Sequence, residues 1–338
     1  MKSMIKGMIV FFSILLLSLV ALMTYALVRG SSELPLIGGR RLINTQIAEM
    51  EDISDISIKN YSSDIFFKRS DGNDIVIKEY ISNRSTQASF VTINQEGSSL
   101  NIYADKKSFN SWSIFGSSHR YFEVYLPESY QGAMRVDTSS GDVYAEIDLE
   151  FTDCSVNSAS GYLKFEKLSA ENISIKTSSG DINGKELNGK KKLSAKSGDI
   201  NIDSSTGDAE ISTSSGDVKL DEAKGNMDIS TSSGNLRVDR LTGSARARST
   251  SGDIQLNLSE LTGDLSFETS SGYVSCKLPK DTGFKFWAST SSGDIKTDFD
   301  DSLSFNKKGS QAEGMIGDPA GHFVEVKTTS GDIKFSRR

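Results

Sequence analysis

From Gly180 onward, glycine returns almost every nine residues. The series runs Gly180, Gly189, Gly198, Gly207, Gly216, Gly225, Gly234, Gly243 and Gly252, then loosens through Gly263, Gly272, Gly283 and Gly293. Alternate members sit in the phrase Thr-Ser-Ser-Gly-Asp or a close variant, at Thr138 to Asp142, Thr177 to Asp181, Thr213 to Asp217, Thr250 to Asp253, Thr290 to Asp294 and Thr328 to Asp332. A period of about 18 residues built from two nine-residue halves specifies a solenoid. Nine residues leave no room for a crossover helix, so each half is a strand followed by a tight turn.

The positions after each glycine support this. Two residues on come Ile200, Ala209, Val218, Met227, Leu236 and Ala245; four on come Ile202, Ile211, Leu220, Ile229, Val238 and Ala247. Polar residues such as Asn201, Lys219 and Arg237 lie between them. This alternation marks strands with one buried face. Glycine at the turn supplies positive φ without strain, and the adjoining Ser and Asp satisfy local amides. Three residues before the glycine, Thr177, Thr213, Thr231, Thr269, Thr290 and Thr328 form a further inward set, a hydroxyl column at the edge of the core. Each coil covers its neighbours, so stability accumulates by stacking. Residues 136–338 hold roughly ten coils, a rod of about 50 Å at the usual strand spacing. The expected fold is all-β: a parallel β-solenoid (β-roll or β-helix, about 18 residues per coil) with an N-terminal β cap and one N-terminal transmembrane helix.

The beat weakens at the ends. Lys190, Lys191 and Lys192 follow Gly189 before Leu193 resumes the pattern, and Phe284, Phe286 and Trp287 follow Gly283. The polar stretch between Asp300 and Gly321 is expected to be a looped insertion, after which Val324 to Phe335 closes the array as the last coil. Residues 51–135 lack the beat. Ile65 to Phe67 and Ile75 to Ile77 flank Asp71-Gly72, and Phe90 to Ile93 and Leu100 to Ile102 flank Glu96-Gly97, as in hairpins. This region is placed to cap the solenoid's open edge. The loop from Lys106 to Arg120 carries Phe109, Trp112 and Phe115, which either fold back over the first coil or contact a partner.

Met8 to Val28 is uncharged, rich in Leu, Ile, Val and Phe, and long enough to span a bilayer. Lys2 and Lys6 precede it, as in a signal-anchor. The expected layout is a short cytoplasmic tail and transmembrane anchor (1–29), a stalk (30–50), a capping β region (51–135) and the solenoid (136–338), with the C-terminal part outside the cytoplasm. A cleaved signal peptide is the competing reading. The net charge of −7 argues against nucleic-acid binding. Cys154 and Cys276 fall at inward positions about seven coils apart, too far for a disulfide.

The chain offers no catalytic pattern. His119 and His322 lie on unrelated irregular segments, and zinc, nucleotide and nucleophile-elbow motifs are missing from the sequence. No catalytic residue and no cofactor is assigned. One constellation is open to a metal. Asp142, Asp181, Asp199, Asp217, Asp253, Asp294 and Asp332 recur after the turn glycine, and Asp208, Asn226, Ser244 and Asp264 recur at the opposite turn. Stacked carboxylates repel, and calcium would relieve that repulsion. The alternative is that each Asp accepts turn amides and faces solvent.

The Tyr125-Leu126-Pro127-Glu128 step, the recurrent Thr-Ser-Ser-Gly-Asp-Ile phrase and the Leu278 to Phe284 step resemble the bacterial "putative adhesin" domain family, a domain of unknown function. An anchor followed by this domain is similar to the LiaG-like proteins of Gram-positive envelope-stress operons. The resemblance covers about Ile53 to Phe335. It implies the fold and a cell-envelope role, and carries no catalytic residues with it. The expected function is non-enzymatic binding of an envelope polymer or protein. The alternatives are an envelope-stress accessory acting through a membrane protein and, third, a carbohydrate-active β-helix enzyme.

Overall fold

The computed structural model describes residues 40–82, 89–104, 119–318 and 321–338. The N-terminal part comprises β1 (Arg40–Ala48), β2 (Asp55–Asn60), β3 (Asp64–Arg69), β4 (Ile75–Ser82), β5 (Val91–Glu96), β6 (Ser99–Ala104), β7 (Arg120–Leu126) and β8 (Ala133–Thr138). The regular part comprises β9 (Val143–Ser158), β10 (Leu163–Thr177), β11 (Ile182–Ala195), β12 (Ile200–Thr206), β13 (Ala209–Thr213), β14 (Val218–Thr231), β15 (Leu236–Ser249) and β16 (Ile254–Ser271). It ends with β17 (Val274–Leu278), β18 (Phe284–Ser292), β19 (Ile295–Thr297), β20 (Leu303–Phe305), β21 (Gln311–Ile316), β22 (Phe323–Ser330) and β23 (Ile333–Arg337). The segment 8–28, and Phe109, Trp112 and Phe115, lie outside the described residues. Among the described residues no helix is long and apolar enough to cross a membrane.

The regular coils stack in parallel, one repeat apart. Val218 faces Leu236, Leu220 faces Val238, Met227 faces Ala245 and Ile229 faces Ala247. Nine is an odd number, so strict alternation would turn every second half-repeat inside out. The chain avoids this with two successive outward-facing residues, such as Asp221-Glu222, followed by an inward one. That step creates a further core column along a short third side: Leu149, Leu168, Leu187, Ser205, Ala223, Leu241 and Leu258 are in register and buried. Strands of 14 residues or more run through this corner, where their ladders skip or shift by a residue, as between Val238 and Leu241.

The turn glycines divide into two kinds. Gly189, Gly207, Gly225 and Gly243 have φ of 120°, 99°, 125° and 147°, the positive values expected of a turn. Of the glycines of the Thr-Ser-Ser-Gly-Asp phrase, Gly141, Gly180, Gly216 and Gly252 have no such φ, whereas Gly293 and Gly331 have 154° and 157°. A Cβ at Gly216 would instead overlap the carbonyl oxygen of Gly198 in the coil below, and one at Gly234 that of Gly216. These glycines are required by coil-to-coil approach, not by a left-handed backbone.

The expected hydroxyl column is present, and it joins the coils. Thr213 and Thr231 are each 7% exposed. The Thr213 hydroxyl accepts the Gly216 N–H at 3.0 Å and donates to the Gly198 carbonyl of the preceding coil at 3.3 Å. Thr231 repeats the pattern with Gly234 and Gly216. Ser249 and Thr269 donate in the same way to Gly234 and Gly252.

Both ends depart from sequence order. The first coil, β2 and β3, lies between later coils: β2 pairs with β6 and β8, and β3 with β7 and β9, all parallel. The expected β3–β4 hairpin therefore does not form, because β7 lies between those strands. The β5–β6 hairpin does form, turning at Gly97 with φ of 60°. Antiparallel β4, β1 and β5 complete this end. Glu79, with 0% exposure, ties it together. Its carboxylate accepts from Asn44 Nδ2, Gln46 Nε2, Ser89 Oγ and the N–H groups of Phe90 and Val91, at 2.7–3.0 Å.

The C-terminal end has the same layout in mirror order. β22 lies between β16 and β18, and β23 between β17 and β19. The segment Val324 to Phe335 is thus a wedged coil and not the terminal one. The expected loop contains strands: β21 pairs antiparallel with β18 and β20, closing the stack. Its strands read as loop because they are short, polar and interrupted by Gly309 and Gly314.

Candidate functional site

A groove of about 860 Å³ opens on the corner of the positive-φ glycines. It crosses seven strands, β10, β11, β13, β14, β15, β16 and β22. At one strand spacing per step it is about 29 Å long. The inward column Ile173, Lys191, Ala209, Met227, Ala245 and Leu265 forms its floor. One rim carries Asn172, Lys190, Asp208, Asn226, Ser244 and Asp264. The other carries Lys192, Glu210, Asp228, Arg246, Ser266 and Glu325.

The first rim contains the opposite-turn series noted in the sequence, and the structure links it. Asp208 Oδ1 accepts the Asn226 N–H and Nδ2, both at 3.0 Å, and Ser244 Oγ donates to Asn226 Oδ1 at 2.6 Å. Asp264 Oδ1 accepts the Phe323 N–H at 2.8 Å. On the second rim, Lys192 pairs with Glu210 at 2.6 Å. Asp228 pairs with Arg248 at 2.8 Å.

Lys191 is the exception in the floor. It stands in register with Ile173 and Ala209, where hydrophobic side chains are the rule, and is 2% exposed. Its ammonium donates to the carbonyls of Thr206 at 2.9 Å and Gly207 at 3.3 Å. Burial pulls its pKa down to about 8, partly opposed by Asp208. Three successive lysines were visible in the sequence, but their place at one end of a groove was not. Only the register puts residues 18 apart side by side.

The principal aspartate series sits on the opposite corner and does a different job from the one expected. Its acceptor oxygens reach the next coil and not the local turn. Asp181 Oδ1 accepts the Asp199 N–H at 3.0 Å, Asp199 that of Asp217 at 2.8 Å, and Asp217 that of Asn235 at 2.7 Å. Asn235 continues to Asp253, and Asp253 to Tyr273. Asp142 bonds Tyr162, and Asp332 bonds Asp294 in the coil that flanks it in space. Among the described residues, no group of three His, Cys, Asp or Glu side chains is arranged to hold a metal ion.

Cys154 and Cys276 are free and buried, with burial pushing both thiols up, Cys154 to about 12. They are small hydrophobic fillers. His119 is exposed and His322 half-buried, on separate segments.

Several solved structures are similar to this chain at low sequence identity. A "putative adhesin" from Parabacteroides distasonis is 15% identical, covering 70% of this chain and 98% of its own, with a TM-score of 0.49. A "putative lipid binding protein" from the same species is 15% identical, covering 88% and 97%, with a TM-score of 0.43. A "putative adhesin" from Parabacteroides merdae is 13% identical, covering 86% and 95%, with a TM-score of 0.34. No curated protein matches the chain. The family model for the Toastrack DUF4097 domain matches residues 53–226 and 222–336, from just before the first wedged coil to the last. Because those two matches span nearly all of the stacked coils, the chain belongs to the Toastrack DUF4097 family.

Proposed function

We propose that the chain is a non-enzymatic, membrane-anchored cell-envelope protein that displays its solenoid outside the cytoplasm to bind an envelope polymer or protein. The groove carries this reading. It is open, about 29 Å long at one strand spacing per step, and edged by polar side chains on both rims. That shape suits an extended chain better than a small substrate. The segment Met8 to Val28 supports the anchor by its length and lack of charge. Full-length protein in detergent micelles should co-sediment with purified cell-wall material, and Ser244→Trp, which fills the groove from its rim, should abolish retention. Absence of retention in the unaltered protein overturns the reading.

A second reading, an accessory of the envelope-stress response working through a membrane protein, is favoured by the same apolar segment. Cross-linking in intact cells that captures one integral membrane protein, with no wall retention, would select it. In either case the protein works without a resident cofactor. The aspartate series has its Oδ1 atoms committed to amides, so adding calcium or a chelator should leave the melting temperature unchanged. A rise with calcium would reinstate a metal ladder.

A further inference from the structure

The groove is not uniform along its length. At the β11 end it presents Lys190 and Lys192 on the rims and Lys191 in the floor. Beyond them the charged lining residues are Asp208, Glu210, Asp228, Arg246, Asp264 and Glu325, predominantly acidic. The far end holds Phe323, 39% exposed on the wedged strand β22. A polymer charged negatively at every unit would meet five carboxylates after the lysine end. A neutral polymer would leave the lysines unused.

A buried ammonium is costly to keep, and in an apolar column a Leu or Met would serve the core better. Lys191 spends two of its three donors on carbonyls. It lies buried between two outward-facing cations of the same strand, Lys190 and Lys192, and Lys192 is shared with Glu210. Carboxylates, amides and an Arg along the middle match the hydroxyl groups of sugars, which both donate and accept. An exposed ring at the end offers a face to a sugar's C–H groups.

We propose that the groove binds an acidic glycan, seating one anionic substituent against Lys190 and Lys192 above the buried Lys191 ammonium, neutral sugar units along the Asp208-to-Glu325 stretch, and a sugar ring on Phe323. This rests on the groove being the binding surface and specifies what it takes.

The test uses full-length protein in a neutral detergent and three probes: cellohexaose ending in a single glucuronate, its neutral methyl ester, and hexaglutamate. Calorimetry should show the singly charged sugar binding about tenfold or more tighter than its ester, equivalent to one charge-assisted contact. The exposed pair Lys190→Ala/Lys192→Ala should erase that preference and Lys191→Met should weaken it, with melting curves verifying the fold of each. Phe323→Ala should weaken both sugars several-fold. Equal binding of acid and ester, with silent lysine variants, overturns the anionic subsite. Tighter binding of hexaglutamate with a silent Phe323→Ala overturns the glycan in favour of a peptide. Binding of none of the three overturns the proposal. Ser244→Trp separates the two levels: if the sugars bind and this variant does not weaken them, the groove itself is the wrong surface.

Discussion

At the scale of single residues, Asp217 and Asn235 occupy equivalent turns and do the same work. Each uses a side-chain Oδ1 to accept the amide of the residue 18 further on, at 2.7 Å and 3.1 Å. The bond needs an oxygen, not a charge. Asp217→Asn should therefore leave the melting temperature within a degree or so of the parent, whereas Asp217→Ala should cost about 1 kcal/mol by removing the acceptor. A large loss in the Asn variant would show that charge matters there. Lys191 shows the opposite dependence. Its pKa of about 8 lies below the ordinary 10.5, so between those values the unfolded chain holds a proton that the folded chain has released. Stability should then rise with pH across that window relative to Lys191→Met, by about 1–2 kcal/mol. Urea melts at pH 7.5 and 10 check the difference, and NMR titration of the lysine side chains locates the pKa directly. Neither behaviour is visible in the residue string. The Gly-Asp dipeptide looks like self-contained turn chemistry, and a lysine among three reads as surface.

At the scale of the repeat, the period, the two inward sites after each glycine and the Thr column were legible because they are local alternations repeated many times. The reason for the glycine was only half legible. Spacing reveals that a small residue is needed, but it does not distinguish a glycine that also needs positive φ, as at Gly225, from one needed only because a Cβ would strike the preceding coil, as at Gly216. The third core column was missed for a related reason. Leu187, Ser205, Ala223 and Leu241 follow an even-odd slip, so they break the alternation that identifies the other inward sites. The Thr column tests the coil as a unit. Thr213→Val keeps the volume but removes one accepted and one donated hydrogen bond, both buried. It should cost about 1–3 kcal/mol, and Thr213→Ser should recover most of it. Equal melting of the Val and Ser variants would show that the column acts by packing alone. The groove belongs to this scale too. It is a property of register, since its rims are built from positions 18 residues apart in separate strands, and no window of sequence contains it.

At the scale of the whole molecule, the wedged terminal coils have the largest consequence. β22 and β23 fill a slot between coils that were laid down before them in the chain, and among the described residues β18 and β19 have no other parallel neighbour. Sequence order could not reveal this. The Thr328 to Asp332 phrase fits any slot in the stack equally well, because every coil presents the same inward pattern. In a linear solenoid, removing the last coil would expose its neighbour and leave the rest nearly intact. Here, truncation after Asp318 should open a gap with two unpaired edges and detach β18, β19, β20 and β21 together. Hydrogen exchange on the truncated chain should show protection retained from β9 to β15 and lost throughout 284–316. The groove would also lose Phe323 and Glu325. Retained protection in 284–316 would mean that those strands close directly onto β16 and β17, and that the wedge contributes little to holding the end.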